Sequence, residues 1–324
     1  MSQDNQPDRE VLRGQRGVLF LGASIHRIAA HLTDEVDVAP SSIDAFAKNL
    51  QSRAGYCRDR GIGFRHVIFP DKASALSELF PLPVRRTFTD RYRAVLTPQV
   101  LDLQAVLAGR PELFIPTDTH LGFEGMLESS LAVLSTIEGL DLTDTRRELE
   151  ALRGTALTYP GDLGSKLDPV ETSLYHPVKW GGLRRFDNQV GANDGLCITV
   201  FNPARLRTGD DRRLLVFGDS FMERSLAMIG QYFSEVLFCR SRYFHPEMVE
   251  MFQPHEVITE SAERYFSMVR LDEVAPRFLL MYGTRGSPYS EDRNFYLALN
   301  AQLVRHGDQH ATFVRRLLDG AFDE

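Results

Sequence analysis

The sequence predicts an α/β fold: a three-layer α/β/α sandwich built on a mainly parallel sheet. Two observations carry this. Short β-rich runs alternate with helix-length segments along the chain, the pattern of strands joined by crossover helices. The two sharpest polar clusters, Asp118-Thr-His120 and Gly218-Asp-Ser220, each follow an apolar run, where open α/β sheets present their ligand-binding edge.

In chain order the expected strands are Val18–Leu21, Phe64–Phe69, Leu113–Ile115, Ile198–Phe201, Leu214–Phe217, Val236–Cys239 and Val257–Thr259. Phe278–Tyr282 is a further expected strand. Ser41 or Ser42 caps a helix running to about Arg58, with Ile43, Phe46, Leu50 and Ala54 on one face. Glu124–Ile137 is a second helix, carrying the stripe Leu127, Leu131 and Leu134. Ala227–Phe233 and Pro246–Phe252 fit the crossovers that parallel strands require. Residues 157–194 are rich in Gly, Pro and polar types and read as an irregular excursion near the active face, not as a linker. Residues 1–13 read as a polar tail and 14–324 as a single catalytic domain. Neither a repeat nor a low-complexity tract interrupts it.

At 324 residues and 43% hydrophobic content the chain can bury a substantial core. Its net charge of -7 gives no general attraction to nucleic acid or an anionic membrane. Apolar runs stop at about six residues, far below the roughly 20 that span a bilayer. The polar, acidic start does not resemble a secretory signal, so the expected address is cytoplasmic. Cys57, Cys197 and Cys239 are widely spaced and read as reduced thiols, those in apolar runs as core residues.

Chemistry concentrates in the two clusters. Ser220 falls where the run Leu214–Phe217 turns into a helix, which exposes a hydroxyl beside helix N-terminal amides able to receive an oxyanion. Helix capping by Asp219 or Ser220 is the plainer reading of the same residues. A serine hydroxyl becomes a nucleophile when an imidazole takes its proton, and the imidazole needs a carboxylate to fix its tautomer. His120 and Asp118 can supply both from one loop. The same Asp-x-His could be half of a metal site, but no third and fourth ligands stand out, so no metal and no bound cofactor are expected. Ser24 with His26 is a rival pair, too close in sequence for good geometry.

At this point the chain resembles the SGNH-hydrolase-like domain of the alginate O-acetyltransferase family. The resemblance rests on Gly17-Val-Leu-Phe-Leu21, Phe69-Pro-Asp-Lys72, Asp118-Thr-His120 with Gly125, Gly161-Asp-Leu163, Gly218-Asp-Ser-Phe221 and the Glu260–Arg264 segment, in that order over about residues 14–268. It implies a flavodoxin-like sheet, with the Asp/His pair preceding the serine instead of following it as in ordinary SGNH esterases. It also implies that Ser220 attacks an acyl donor (acetyl-CoA or another acetyl ester), that His120 is base and then acid, and that Asp118 orients His120. The implied activity is O-acetyl transfer to a carbohydrate or glycosylated acceptor, with an acyl-donor protein as a further expected partner. The same triad with water as acceptor gives an esterase; a non-catalytic glycan-binding relative is the rival from another class. Leu121 stands where the family usually has tryptophan, which puts the acceptor in question. Secondary candidates for oxyanion or substrate contact are Gly218 and the Ser220 amide, Asn202, Lys72, Arg264 and the sole tryptophan, Trp180. Glu260 and Arg264 also read as a structural pair.

Overall fold

The computed structural model describes residues 9–191, 194–281, 292–305 and 307–322. They divide into two compact units. The first extends up to Gln51 and includes Val67–Lys179 and Ser261–Arg270; the second holds Ser52–His66, Trp180–Glu260 and the chain from Leu271 onward. The strands are β1 Val11–Arg13, β2 Leu19–Leu21, β3 Gly63–Phe69, β4 Val100–Asp102, β5 Leu157–Tyr159, β6 Ser173–Tyr175, β7 Arg184–Asp187, β8 Cys197–Phe201, β9 Arg213–Gly218, β10 Glu235–Arg240 and β11 Glu256–Ala262.

In the second unit the strands lie in the order β11–β9–β10–β8–β7. β9 runs parallel to both β10 and β11, whereas β8 is antiparallel to β10 and β7 to β8. The sheet is therefore mixed, a correction to the mainly parallel expectation. The cause is local. Asn188 accepts from the Cys197 N–H and donates to the Gly195 carbonyl, closing a connection from β7 to β8 that is far too short for a crossover. The centre of β9, Leu214 to Phe217, is at most 1% exposed, which is why it reads as an unbroken apolar run instead of an alternating one. Helices Ser220–Ile229 and Pro246–Phe252 follow β9 and β10. Two C-terminal helices, Arg293–Leu303 and Gln309–Leu318, place Ala298, Ala301, Phe313 and Leu317 against Phe201 of β8. Glu235, buried on β10, is held there by Arg305 at 2.9 Å and His310 at 2.8 Å.

In the first unit β2 pairs antiparallel with β1. The run read as a sheet strand therefore forms a ribbon with Val11–Arg13, inside the expected tail. Leu113–Ile115 is not a strand. Pro111–Leu113 is a 3-10 turn, and Phe114 makes a single bridge to Leu121. Pro111 and Pro116 lack N–H donors and cannot extend a ladder in either direction. Within the excursion β5 and β6 pair as an antiparallel ribbon around a helical turn at Gly161–Gly164. Helices Pro40–Arg58 and Phe123–Leu134 match the expected segments to within a few residues. Phe278–Leu280 is a 3-10 turn and not the expected strand, and Tyr282 lies outside the described residues. Cys57, Cys197 and Cys239 are free and buried. Among the described residues no helix is long and apolar enough to cross a membrane.

Candidate active site

In the first unit a tight turn between the bridged residues Phe114 and Leu121 carries Asp118, Thr119 and His120. Asp118 is fully buried, and its Oδ1 accepts both the His120 amide at 2.8 Å and His120 Nδ1 at 2.6 Å. Its Oδ2 accepts the Asp162 amide at 3.1 Å. A carboxylate fixed by backbone donors orients the imidazole and favours the tautomer with its proton on Nδ1. The expected Asp118–His120 pair is thus present.

Asp162 comes from the Gly161-Asp-Leu163 element. Its carboxylate accepts the Thr119 amide at 2.7 Å and the Thr119 hydroxyl at 2.6 Å. Gly161 has φ +67, and a β-carbon there would lie 2.6 Å from Asp118 Cβ and closer still to the Thr117 carbonyl oxygen. Only glycine lets this segment approach the Asp118 loop. Ligand atoms of Asp118, His120 and Asp162 lie within 4.8 Å of one another, a spacing compatible with a cation site. Their oxygens, however, already serve as acceptors for Thr119, His120 and the Asp162 amide.

Lys72 supports the same loop from inside. Its ammonium donates to the carbonyls of Leu19, Ile115, Pro116 and Asp118 at 2.7–3.0 Å. Burial pulls its pKa down to about 7, opposed by the nearby Asp118 and Asp162 carboxylates. The substrate-contact candidacy of Lys72 is corrected: at 3% exposure it is a clamp on main-chain carbonyls. Arg264 is likewise committed inward, pairing at 2.6 Å with the buried Asp71. His26 meets Ser267 Oγ at 2.9 Å through its ring, while Ser24 Oγ accepts only the His26 amide; the Ser24–His26 pairing does not form.

In the second unit β9 ends at Gly218, level with Arg240 at the end of β10, and Ser220 opens the helix Ser220–Ile229. Asp219 is the cap, its Oδ1 accepting the Phe221 amide at 2.8 Å. The capping expectation and the nucleophile-turn expectation therefore fall on adjacent residues. Beneath them Glu260 Oε2 accepts the Asp219 amide at 2.7 Å. A β-carbon on Gly218 would come 2.6 Å from that oxygen, so the glycine's role is to admit Glu260. Glu260 is thus joined to Asp219, and the expected Glu260–Arg264 pair gives way to these separate partners.

Asn202 and Trp180 do not belong with Ser220. Asn202 follows Phe201, which is level with Glu235 and Arg213 at the starts of β10 and β9. Ser220 follows the other end of β9, about 17 Å away at the rise of a strand. Asn202 caps helix Pro203–Arg207 and donates to the carbonyls of Gly230 and Gln231. The Trp180 carbonyl accepts from the Gln231 side chain at 3.1 Å, past the far end of the Ser220 helix, and the ring lies under Arg185. Sequence reasoning gave Asp162 no role of its own and read Glu260 only as a structural partner of Arg264. The available signals were a glycine beside each cluster, Gly161 and Gly218, which mark close backbone approach.

Neither a protein-family model nor a curated protein matches the sequence. Solved structures do match in fold. PatB1 of Bacillus cereus aligns with a TM-score of 0.59 at 13% identity, covering 79% of this chain and 96% of that one. A second PatB1 structure, with a sulfonyl adduct, aligns at 0.54 and 13% identity, over 71% and 92% of the two chains. The O-acetyltransferase domain of Pseudomonas putida AlgJ aligns at 0.50 and 16% identity, over 85% and 99%. At such identities the likeness concerns the fold: this chain shares the α/β fold of PatB1 and of the AlgJ O-acetyltransferase domain, in keeping with the resemblance that its motifs carry.

Proposed function

We propose that the protein is a serine-dependent O-acyltransferase that moves an acyl group, in the first instance acetyl, onto a carbohydrate hydroxyl. The observation that carries the reading is the His120 Nδ1 to Asp118 contact of 2.6 Å on a fully buried carboxylate. Support comes from Ser220 at the first turn of a helix and from the fold shared with an O-acetyltransferase domain. In the proposed reaction Ser220 Oγ bonds to the acyl carbon as its proton passes to His120 Nε2. Amides of the helix's first turn receive the developing oxyanion. Collapse breaks the bond to the leaving group, which takes the proton from His120 and leaves an acyl-Ser220 ester. The acceptor hydroxyl then gives its proton to His120 and attacks that ester, and Ser220 leaves by taking the proton back from His120. Asp118 stays ionised throughout and stabilises the imidazolium.

The test uses the full chain with a sulfonyl fluoride and an activated acetyl ester, followed by intact mass and peptide mapping. A sulfonyl adduct has been captured on PatB1, which makes this the natural probe. Modification should map to Ser220, and Ser220→Ala and His120→Ala should each cost at least about 10³-fold, non-additively. Equal labelling of Ser220→Ala would remove the nucleophile assignment. Partition of the acyl-enzyme between water and added carbohydrates separates transferase from esterase. Free acid as the sole product with every acceptor would assign the esterase.

A further inference from the structure

Glu260 is 2% exposed and has no ion-pair partner among the described residues, yet it lies directly under the turn that carries Ser220. Its Oε2 takes the Asp219 amide, and its side chain is within hydrogen-bonding reach of the Asp219 carboxylate, itself 4% exposed. Its Oε1 is buried without a hydrogen-bond partner. A low-dielectric site tolerates the neutral acid there far better than a second carboxylate beside Asp219. On β3, His66 turns its ring to the Thr259 hydroxyl at 2.8 Å.

We infer that Glu260 is a positioning residue for Ser220, a carboxyl that keeps its proton, bonds to Asp219 and so fixes the Gly218-Asp-Ser220 turn. Asp219 in turn holds the Phe221 amide at 2.8 Å, so the first turn of the Ser220 helix is set from below. Burial, and then the Asp219 charge, raise the Glu260 pKa well above its ordinary value of 4.5. The sign follows. The unfolded chain gives up this proton near 4.5 and the folded chain retains it, so the stability from Glu260 is complete below that pH and is lost as pH rises toward the folded value.

This inference rests on Ser220 as nucleophile, and its test separates the two claims. Wild type, Glu260→Gln, Glu260→Ala and Ser220→Ala are compared by the rate of sulfonyl fluoride labelling and by urea unfolding from about pH 5 to about pH 9. Glutamine reproduces an uncharged side chain that still offers an oxygen to the Asp219 amide. Glu260→Gln should label within about threefold of wild type, and Glu260→Ala at least about tenfold more slowly. The folding equilibrium of wild type relative to Glu260→Gln should fall by up to about tenfold per pH unit above 4.5. Should Glu260→Ala not fold, the glutamine variant decides alone. A glutamine variant as slow as the alanine one, or urea profiles that stay parallel with pH, overturns the role of Glu260. Labelling of Ser220→Ala at the wild-type rate sinks the nucleophile instead, while the urea profiles still judge Glu260.

Discussion

Replacing Gly161 by alanine tests how closely the Asp162 segment governs the Asp118–His120 pair. Gly161 has φ +67; a β-carbon there would sit 2.6 Å from Asp118 Cβ, 2.7 Å from the Thr117 carbonyl carbon and closer to its oxygen. Real contacts of this kind do not fall below 3.0 Å, so the Asp118 loop or the Gly161 backbone must move by about half an ångström. Gly61 supplies the control: its φ is +68 and nothing lies within 4 Å of its β-carbon position. Both substitutions incur the left-handed backbone cost of about 1–2 kcal/mol, partly offset by about 0.4–1 kcal/mol from the stiffer unfolded chain. Gly161→Ala alone adds overpacking of about 1–3 kcal/mol. Urea unfolding should therefore place Gly161→Ala below Gly61→Ala by about 1–3 kcal/mol. A misplacement of about 1 Å costs about 10²-fold in rate. Half of that predicts a sulfonyl fluoride labelling rate at Ser220 about tenfold lower in Gly161→Ala, and unchanged in Gly61→Ala. If the two variants match in both stability and labelling, the segment does not hold the pair in place and the reasoning fails.

Two further outcomes are expected. Asn202→Ala should lower stability by about 1–2 kcal/mol through loss of the cap on helix Pro203–Arg207, with labelling of Ser220 unaffected because Asn202 sits at the other edge of the sheet; slower labelling would reinstate it as a substrate-side donor. Glu263, buried and accepting the Asp71 and Thr89 amides, has its pKa raised from 4.5 to about 7 by burial and by Asp71. Its stabilising neutral form is complete below 4.5 and lost as pH rises through about 7, so wild type should lose about 3 kcal/mol relative to Glu263→Gln across that window. Urea midpoints measured on both proteins check this, and parallel profiles would contradict it.

What the sequence made legible follows from burial. The runs at β8, β9, β10 and β11 were readable because strands covered on both faces need apolar residues at every position, as Leu214 to Phe217 show. β7 reads Arg-Arg-Phe-Asp and β4 Val-Leu-Asp, too short and too polar for that signal. Leu113–Ile115 has the composition of a strand but lies between Pro111 and Pro116, whose missing donors leave a single bridge. The two C-terminal helices pack through Ala298, Ala301, Phe313 and Leu317, a narrow stripe whose partner Phe201 is distant in sequence.

The site divides along a similar line. Asp118, His120 and Ser220 could be proposed from the sequence because the chemistry ascribed to them is carried by residue types within one loop or one turn. The groups beneath them could not, because a buried polar side chain announces its partner only in three dimensions. Lys72 read as a candidate substrate contact, yet its ammonium ends on main-chain carbonyls, including those of Ile115 and Asp118. Glu260 looked like the partner of Arg264, yet the arginine goes to Asp71 and the glutamate to the Asp219 amide. In each case a main-chain group is an essential partner, and main-chain groups leave no mark on composition or spacing. The glycines are the exception. Gly161 and Gly218 stand where a β-carbon would collide with Asp118 and with Glu260, so a glycine beside a reactive side chain is the trace that a hidden supporting group leaves in the sequence.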